Sequence, residues 1–285
     1  MDSVALVRYS GVLDTTLREA MGLIGGFQAL NPPILIKPNL CTDVDVTGVA
    51  TTKVDIVETL IRLVLEEDED VAIRIVESDS ESKFADDAFE KLGYNTLAEK
   101  YRKQGADVAL INLSHEPLVT VEFSGSYFER PKWPKILTVG GSFLSLAVAK
   151  THSLTMVTGV MKNLFGVLPR KDQSVYHSAI NEVIVDLNRF VKPDLSIVDA
   201  RTGLEGVLRG RTREVNTIIV GRKPASVDAV MASIMGFNPE SIRHLVMAAR
   251  YSLGTLYPRC VGEPLESTRV PFKMPSNLSS TALIK

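Results

Sequence analysis

Between Val4 and Asn112, short apolar runs alternate with longer amphipathic stretches, and that alternation leaves few architectures open. Residues 4–8, 34–36, 71–76 and 108–112 are apolar or β-branched runs of strand length. Between them, residues 14–29 are amphipathic, and residues 54–65 place Val54, Val57, Leu60, Ile61, Val64 and Leu65 on one helix face. Residues 85–92 and 96–104 predict two more helices. Such an order favours parallel strands joined by helical crossovers. The expectation is an α/β fold: a mainly parallel mixed sheet flanked by helices.

The second half keeps the theme with one interruption. Residues 118–123 alternate like an antiparallel strand, and residues 127–134, with Pro131, Trp133 and Pro134, predict a loop. A seam near residues 113–135 would divide two closely packed α/β lobes, with one continuous domain over residues 1–260 equally open. Residues 143–149 form an apolar run that predicts a buried strand. Residues 174–190 predict a helix with Val175, Ala179, Val183, Leu187 and Phe190 on one side. Residues 195–198, ending in Asp199, predict a buried strand beside residues 216–220. Residues 224–235 and 239–251 predict two helices, each introduced by a proline near its first turn. From Val261 onward Pro264, Pro271 and Pro275 interrupt any period, which predicts an extended or partly disordered arm over residues 261–285.

Composition narrows the partners. A net charge of −2 argues against sequence-wide attraction to nucleic acid or an anionic membrane. The amino terminus reads as a strand rather than a secretory signal, and the longest apolar run is far too short to span a bilayer. Two cysteines, Cys41 and Cys260, exclude a disulfide framework, and they cannot supply four cluster thiolates within one chain. These points suggest a cytoplasmic protein with two thiols and with neither nucleic acid nor membrane as partner. A homodimer stays open.

Four polar clusters fall at predicted strand ends, where open α/β sheets place their ligands. Lys37 and Asn39, with helix-start amides near Thr51 and Thr52, would suit a phosphate or carboxylate. A strand-edge lysine beside an ordinary helix cap fits the same residues. Asp79, in an acidic serine-rich loop, would hold a divalent cation or orient a histidine, or simply solvate a turn. The stretch from Lys150 to Gly166 contains His152, Lys162 and Asn163, and His177 follows. If desolvated, Lys162 would lose basicity and act as a nucleophile or covalent anchor; a surface lysine on a first helical turn fits equally. Asp199 ends a strand, and Asp228 reads as a site carboxylate or a first-turn charge. His115 and His244 lack polar neighbours in sequence and receive no role. Dinucleotide, Walker-type, Gly-x-Ser-x-Gly and His-Glu-x-x-His motifs are absent.

Taken together, Ile36-Lys-Pro-Asn-Leu40, Thr51-Thr52, Lys150-Thr-His152, the run from Thr158 to Gly166, His177, Ile197-Val-Asp199 and Ser226-Val-Asp-Ala229 resemble the domain-of-unknown-function 362 family. The match spans roughly residues 4 to 252. Many relatives append a ferredoxin-like segment with cysteine quartets, which this chain lacks; Cys41 would then either join a cluster shared between subunits or be a buried free thiol. The order His152, Lys162, His177 is also similar to the nickel-pincer lactate racemase family. That likeness implies His152 as acid/base, Lys162 as the anchor of a covalent adduct and His177 as a nickel ligand. The racemases' second acid/base histidine has no counterpart, and the chain is shorter than those enzymes.

The expected function is therefore a metal- or cofactor-assisted small-molecule enzyme performing proton-transfer, isomerase-like chemistry on an anionic substrate. Its catalytic groups would be His152, Lys162 and Asn163, and its substrate-binding groups Lys37, Asn39, Thr51 and Thr52. Nickel or another divalent metal would sit on His177, Asp79 and Asp199. The alternative is a non-catalytic module that handles metal or iron–sulfur clusters.

Overall fold

Strand β2 (Ile34–Pro38) is buried along its whole length, as a central parallel strand covered by helices on both faces must be. The computed structural model describes residues 2–27 and 30–284. On one side β2 pairs in parallel with β3 (Ile73–Glu77), which pairs with β4 (Val108–Asn112). On its other side lies β7 (Ser142–His152), followed in parallel by β9 (Leu195–Glu205). Beyond β9, β10 (Arg211–Gly221) runs antiparallel, then β1 (Ser3–Arg8), then β11 (Arg259–Gly262) alongside β1. A two-residue strand, β8 (Met156–Val157), folds back on the end of β7 to complete nine strands. This is the mainly parallel mixed sheet that the alternating sequence predicts. It is continuous across residues 113–135, because β7 pairs with β2.

The two faces of the sheet carry separate apolar layers. Val4 and Leu6 point into one, Ala5 and Val7 into the other, as strand alternation requires. Helices α1 (Leu13–Leu23), α2 (Val54–Glu67), α3 (Ala85–Lys91) and α4 (Tyr94–Lys103) cover the Ala5 face through Leu17, Leu60, Phe89 and Leu97. The other face is covered by α5 (Gly159–Asn163), α6 (Ile180–Val191), α7 (Pro224–Ile234) and α8 (Arg243–Ala249), through Met161, Ile184, Met231 and Leu245.

Local predictions differ from the structure where distant partners decide. Residues 174–190 are not one helix: a 3-10 turn at Ser174–Ala179 precedes α6, and Val175 is exposed rather than on the apolar face. Residues 239–251 divide similarly, because the Asn238 side chain accepts from the Glu240 amide at 3.0 Å and caps a 3-10 turn before α8. Lys132–Pro134, inside the expected loop, forms β6 and pairs with β5 (Leu118–Thr120) in a small separate sheet. The expected arm is packed onto the domain: β11 extends the sheet, Phe272 and Ala282 are buried, and Asn181 Nδ2 donates to Thr281 O at 2.8 Å. Of the amphipathic stretch 14–29, Gln28 and Ala29 lie outside the described residues.

The connections position the site. From β2 the chain crosses through α2 to β3 on one side, while β7 joins β2 on the other. Strand order reverses there, and a crevice opens at the carboxyl ends of β2 and β7. Because Pro38 already pairs with Leu146, β7 runs on past the end of β2 and carries Lys150 and His152 beyond it.

Candidate active site

A cavity of about 220 Å³ occupies this crevice, lined by residues from the ends of β2, β3 and β7 and by α5. Its floor is an ion cluster. Lys37, the fourth residue of β2, donates from Nζ to Glu77 Oε2 at 2.6 Å and to Pro38 O at 2.7 Å. Lys83 Nζ approaches Glu77 Oε1 at 3.4 Å and also bonds Ser78 O. Both side chains of the Lys37–Glu77 pair are almost inaccessible, 1% and 3% exposed. Burial pushes the Lys37 amine down, while Glu77 holds it up. Gly166 closes the cluster from above: a Cβ there would stand 2.3 Å from Glu77 Oε1 and 2.6 Å from Lys37 Nζ.

The wall formed by β7 is different. Lys150 is buried, and its Nζ reaches Ala50 O at 2.6 Å, Cys41 Sγ at 3.2 Å, and Asn39 Oδ1 and Val207 O at 3.3 Å. No carboxylate lies among these partners. Ala50 is presented by the 45–52 loop, which Asp45 organises by accepting the amides of Thr47, Gly48, Ala50 and Thr51.

Helix α5 supplies Lys162 and Asn163 and is clamped at both ends. The buried Asp228 carboxylate accepts the Val160 and Met161 amides at 2.7 and 2.9 Å. That approach needs Gly159, whose φ is +62° and whose Cβ would meet Asp228 Oδ1 at 2.2 Å. Burial raises Asp228 to about 7 against the opposing pull of the two amides. At the other end Asn163 Nδ2 donates to Lys37 O at 2.9 Å and Ser145 Oγ at 3.2 Å. Lys162 itself lies over the Phe165 ring, 4.6 Å from its centroid, and no hydrogen bond or ion pair engages its amine among the described residues. Burial first, and the neighbouring Lys150 second, lower Lys162 to about 8.

The histidines differ in setting. His152 Nδ1 accepts the Leu154 amide at 3.0 Å, which places the neutral ring's proton on Nε2. Burial, then Lys162 and Lys150, depress His152 well below the usual imidazole range and keep it neutral. His177 is exposed at the cavity rim on the 3-10 turn, lowered by partial burial and then by Lys162. His244, on α8, is wholly buried with neither ring nitrogen hydrogen-bonded among the described residues, and burial pushes it down to about 3.

Of the residues singled out from sequence, the cavity gathers Lys37, Asn39, Cys41, His152, Lys162, Asn163 and His177. The others serve the frame. Thr51 bonds Asp45, and Thr52 Oγ1 ties the Asn39 amide to Leu146 O. Asp79 Oδ1 accepts the Ala85 amide at the start of α3 and Asn112 Nδ2. Asp199 pairs with Arg201, which forks onto Asp55. His177, Asp79 and Asp199 therefore do not fit a shared metal centre, their carboxylates being committed elsewhere. Among the described residues no three His, Cys, Asp or Glu side chains are grouped as ligands. Sequence reasoning missed the roles of Glu77, Lys83 and Gly166. Their one signal is a carboxylate ending an apolar strand, parallel to a strand that ends in a lysine.

Fold and cavity together define an α/β protein with a lysine-rich, ligand-sized cavity at the switch point of its sheet. The chain belongs to the family described as Domain of unknown function (DUF362), whose profile matches residues 34–233 and takes in every residue of the cavity. It is also similar to the Thylakoid-associated protein sll1697 of Synechocystis sp. (strain ATCC 27184 / PCC 6803 / Kazusa). The two are 28% identical over 250 residues, which cover 84% of this chain and 73% of that protein. No helix among the described residues is long and apolar enough to cross a membrane.

Proposed function

We propose that the protein is an enzyme that binds a small anionic substrate in this cavity and moves a proton next to the anionic group. One observation carries the reading: four lysines line the cavity against two glutamates, and Lys150 and Lys162 have no carboxylate partner among the described residues. A buried cation such as Lys150, and to a lesser degree a half-buried one such as Lys162, is costly without counter-charge, and a bound anion would supply it. Lys150 would hold the anion, Lys162 would exchange the proton, and His152 would donate a hydrogen bond from Nε2 to developing negative charge. Asn39 and Asn163 would set the positions of Lys150 and α5.

A thermal-shift screen of small carboxylates and phosphates tests this. A ligand at a hundred times its dissociation constant should add about 2.7 kcal/mol of stability, and Lys150→Met with Lys162→Met should abolish the gain. Equal response of wild type and double variant would refute the reading. The same proposal places the protein in the cytoplasm. Because the Synechocystis relative is named as thylakoid-associated, separating membranes from soluble extract of the native host is the check.

A further inference from the structure

We propose that the substrate is a small 2-oxo acid and that Lys162 Nζ carries it as an imine, its carboxylate seated between Lys150 and the Thr158 hydroxyl. This rests on the reading of the cavity as an anion-binding active site and specifies what the anion must also contain. Three independent features point to a carbonyl carbon beside a carboxylate.

The first is the state of the Lys162 amine. It projects from a helix fixed at one end by Asp228 and at the other by Asn163. It has the Phe165 ring beneath it and no acceptor to hold its protons among the described residues. An amine so placed, and lowered to about 8, is neutral in about a tenth of molecules at pH 7, against less than a thousandth for an ordinary lysine. A neutral amine is the nucleophile that carbonyls require.

The second is Thr158. It immediately precedes α5, four residues before Lys162, and lines the same cavity. Its Oγ1 is buried without a hydrogen-bond partner among the described residues. A buried hydroxyl left unmatched costs free energy unless a ligand completes it. The third is Lys150, whose ammonium among the described residues meets neutral oxygens and a thiol. A cavity of about 220 Å³ limits the acid to a few carbons.

The chemistry balances without a further reagent. Lys162 nitrogen attacks the carbonyl carbon, forming the C–N bond as the carbonyl electron pair moves to oxygen. That oxygen takes a proton from the attacking nitrogen, while the His152 Nε2–H hydrogen-bonds it. The carbinolamine then loses hydroxide as water on taking a second proton from solvent, the nitrogen lone pair forms C=N, and solvent recovers a proton. Amine and ketone become imine and water. Once protonated, the imine withdraws electrons and makes the neighbouring C–H acidic, so Lys162 serves the proton transfer read for the site as its electron sink and no longer as the group that exchanges the proton.

The experiment is reductive trapping. Full-length protein is incubated with pyruvate, oxaloacetate or 2-oxoglutarate and cyanoborohydride, then followed by intact mass and peptide mapping. The expected result is one adduct per chain on Lys162, formed faster as pH rises and levelling off above about 8, where the amine is neutral. Lys162→Arg should give none while keeping its thermal transition. Lys150→Met should still trap a simple aldehyde, yet lose about tenfold or more in trapping efficiency with the oxo acid. Labelling of Lys162 no faster than of surface lysines, with every oxo acid tried, overturns the proposal. The same holds if Lys150→Met leaves the preference for oxo acids intact. Lactate and acetate in the thermal-shift assay separate the two levels. If they still stabilise the wild type, only the imine has failed; if no anion does, the reading of the cavity falls with it.

Discussion

The cavity holds two pairs of lysines that look alike in sequence and differ in what surrounds them. Lys37 and Lys83 share Glu77, so the floor brings its own counter-charge into the interior. Lys150 and Lys162 have none among the described residues: one leans on carbonyls and a thiol, the other on an aromatic ring. Charges withdrawn from water cost several kcal/mol each unless paired, so the two halves answer one physical problem differently. The floor is complete in itself and acts as structure. On the proposed reading, a bound anion completes the wall.

Breaking the floor should produce the largest effects. Gly166→Ala drives a methyl against Glu77 and Lys37, and Lys37→Met leaves one glutamate oxygen without its ammonium. Each should cost about 3–5 kcal/mol in urea-induced unfolding, the usual loss when a buried pair is broken. Lys162→Met removes an amine whose charge burial already disfavours, and should change stability by less than about 1 kcal/mol. If Lys37→Met and Lys162→Met cost the same, the distinction between structural floor and ligand-seeking wall fails.

The family landmarks near residues 158–166 and 226–229 turn out to be one device, and only part of it is legible in sequence. Alternating apolar periods disclose the sheet and most helices, because each period is local. Whether a polar residue at a strand end faces a ligand or a helix start is not local. Asp79 and Asp199 read as ligands for that reason, yet one caps α3 and the other holds Arg201. Glu77 gains meaning only from Lys37, 40 residues away. Asp228 reads as a site carboxylate or a charge for its own helix, and it holds the start of α5, 67 and 68 residues earlier. The packing of residues 261–284 escaped for the same reason: it comes from the β1 edge and from Asn181, not from the segment's own pattern.

Acid should sharpen the comparison at intermediate magnitude. His244 is lowered to about 3 by burial, so below its ordinary value near 6.5 the unfolded chain takes a proton that the folded chain refuses. Its contribution is therefore present above about 6.5 and lost as pH falls toward 3, at up to about 1.4 kcal/mol per pH unit. His152, also lowered, acts in the same direction. His244→Leu, which removes two unmatched ring nitrogens, should flatten the slope of stability between about pH 6 and 4 and raise stability there by about 1–2 kcal/mol. Denaturant midpoints at several pH values measure it. An unchanged slope would mean that other groups govern acid sensitivity.

The smallest effect is expected at the rim. His177 is exposed, and it carries no hydrogen bond to the frame among the described residues. Its imidazole is lowered by partial desolvation and then by Lys162, which makes it a neighbour of the site's charge rather than a support for it. His177→Ala should leave stability within about 0.5 kcal/mol, as surface substitutions do, and change anion affinity by no more than about threefold. A metal ligand behaves otherwise, since losing one donor costs about 10- to 100-fold or more in affinity or activity. Isothermal titration of the anion that gives the largest thermal shift separates the two cases. A loss near the upper figure would move the centre of the chemistry from the buried wall to the rim, and would restore to His177 the ligand role that its order in the sequence suggests.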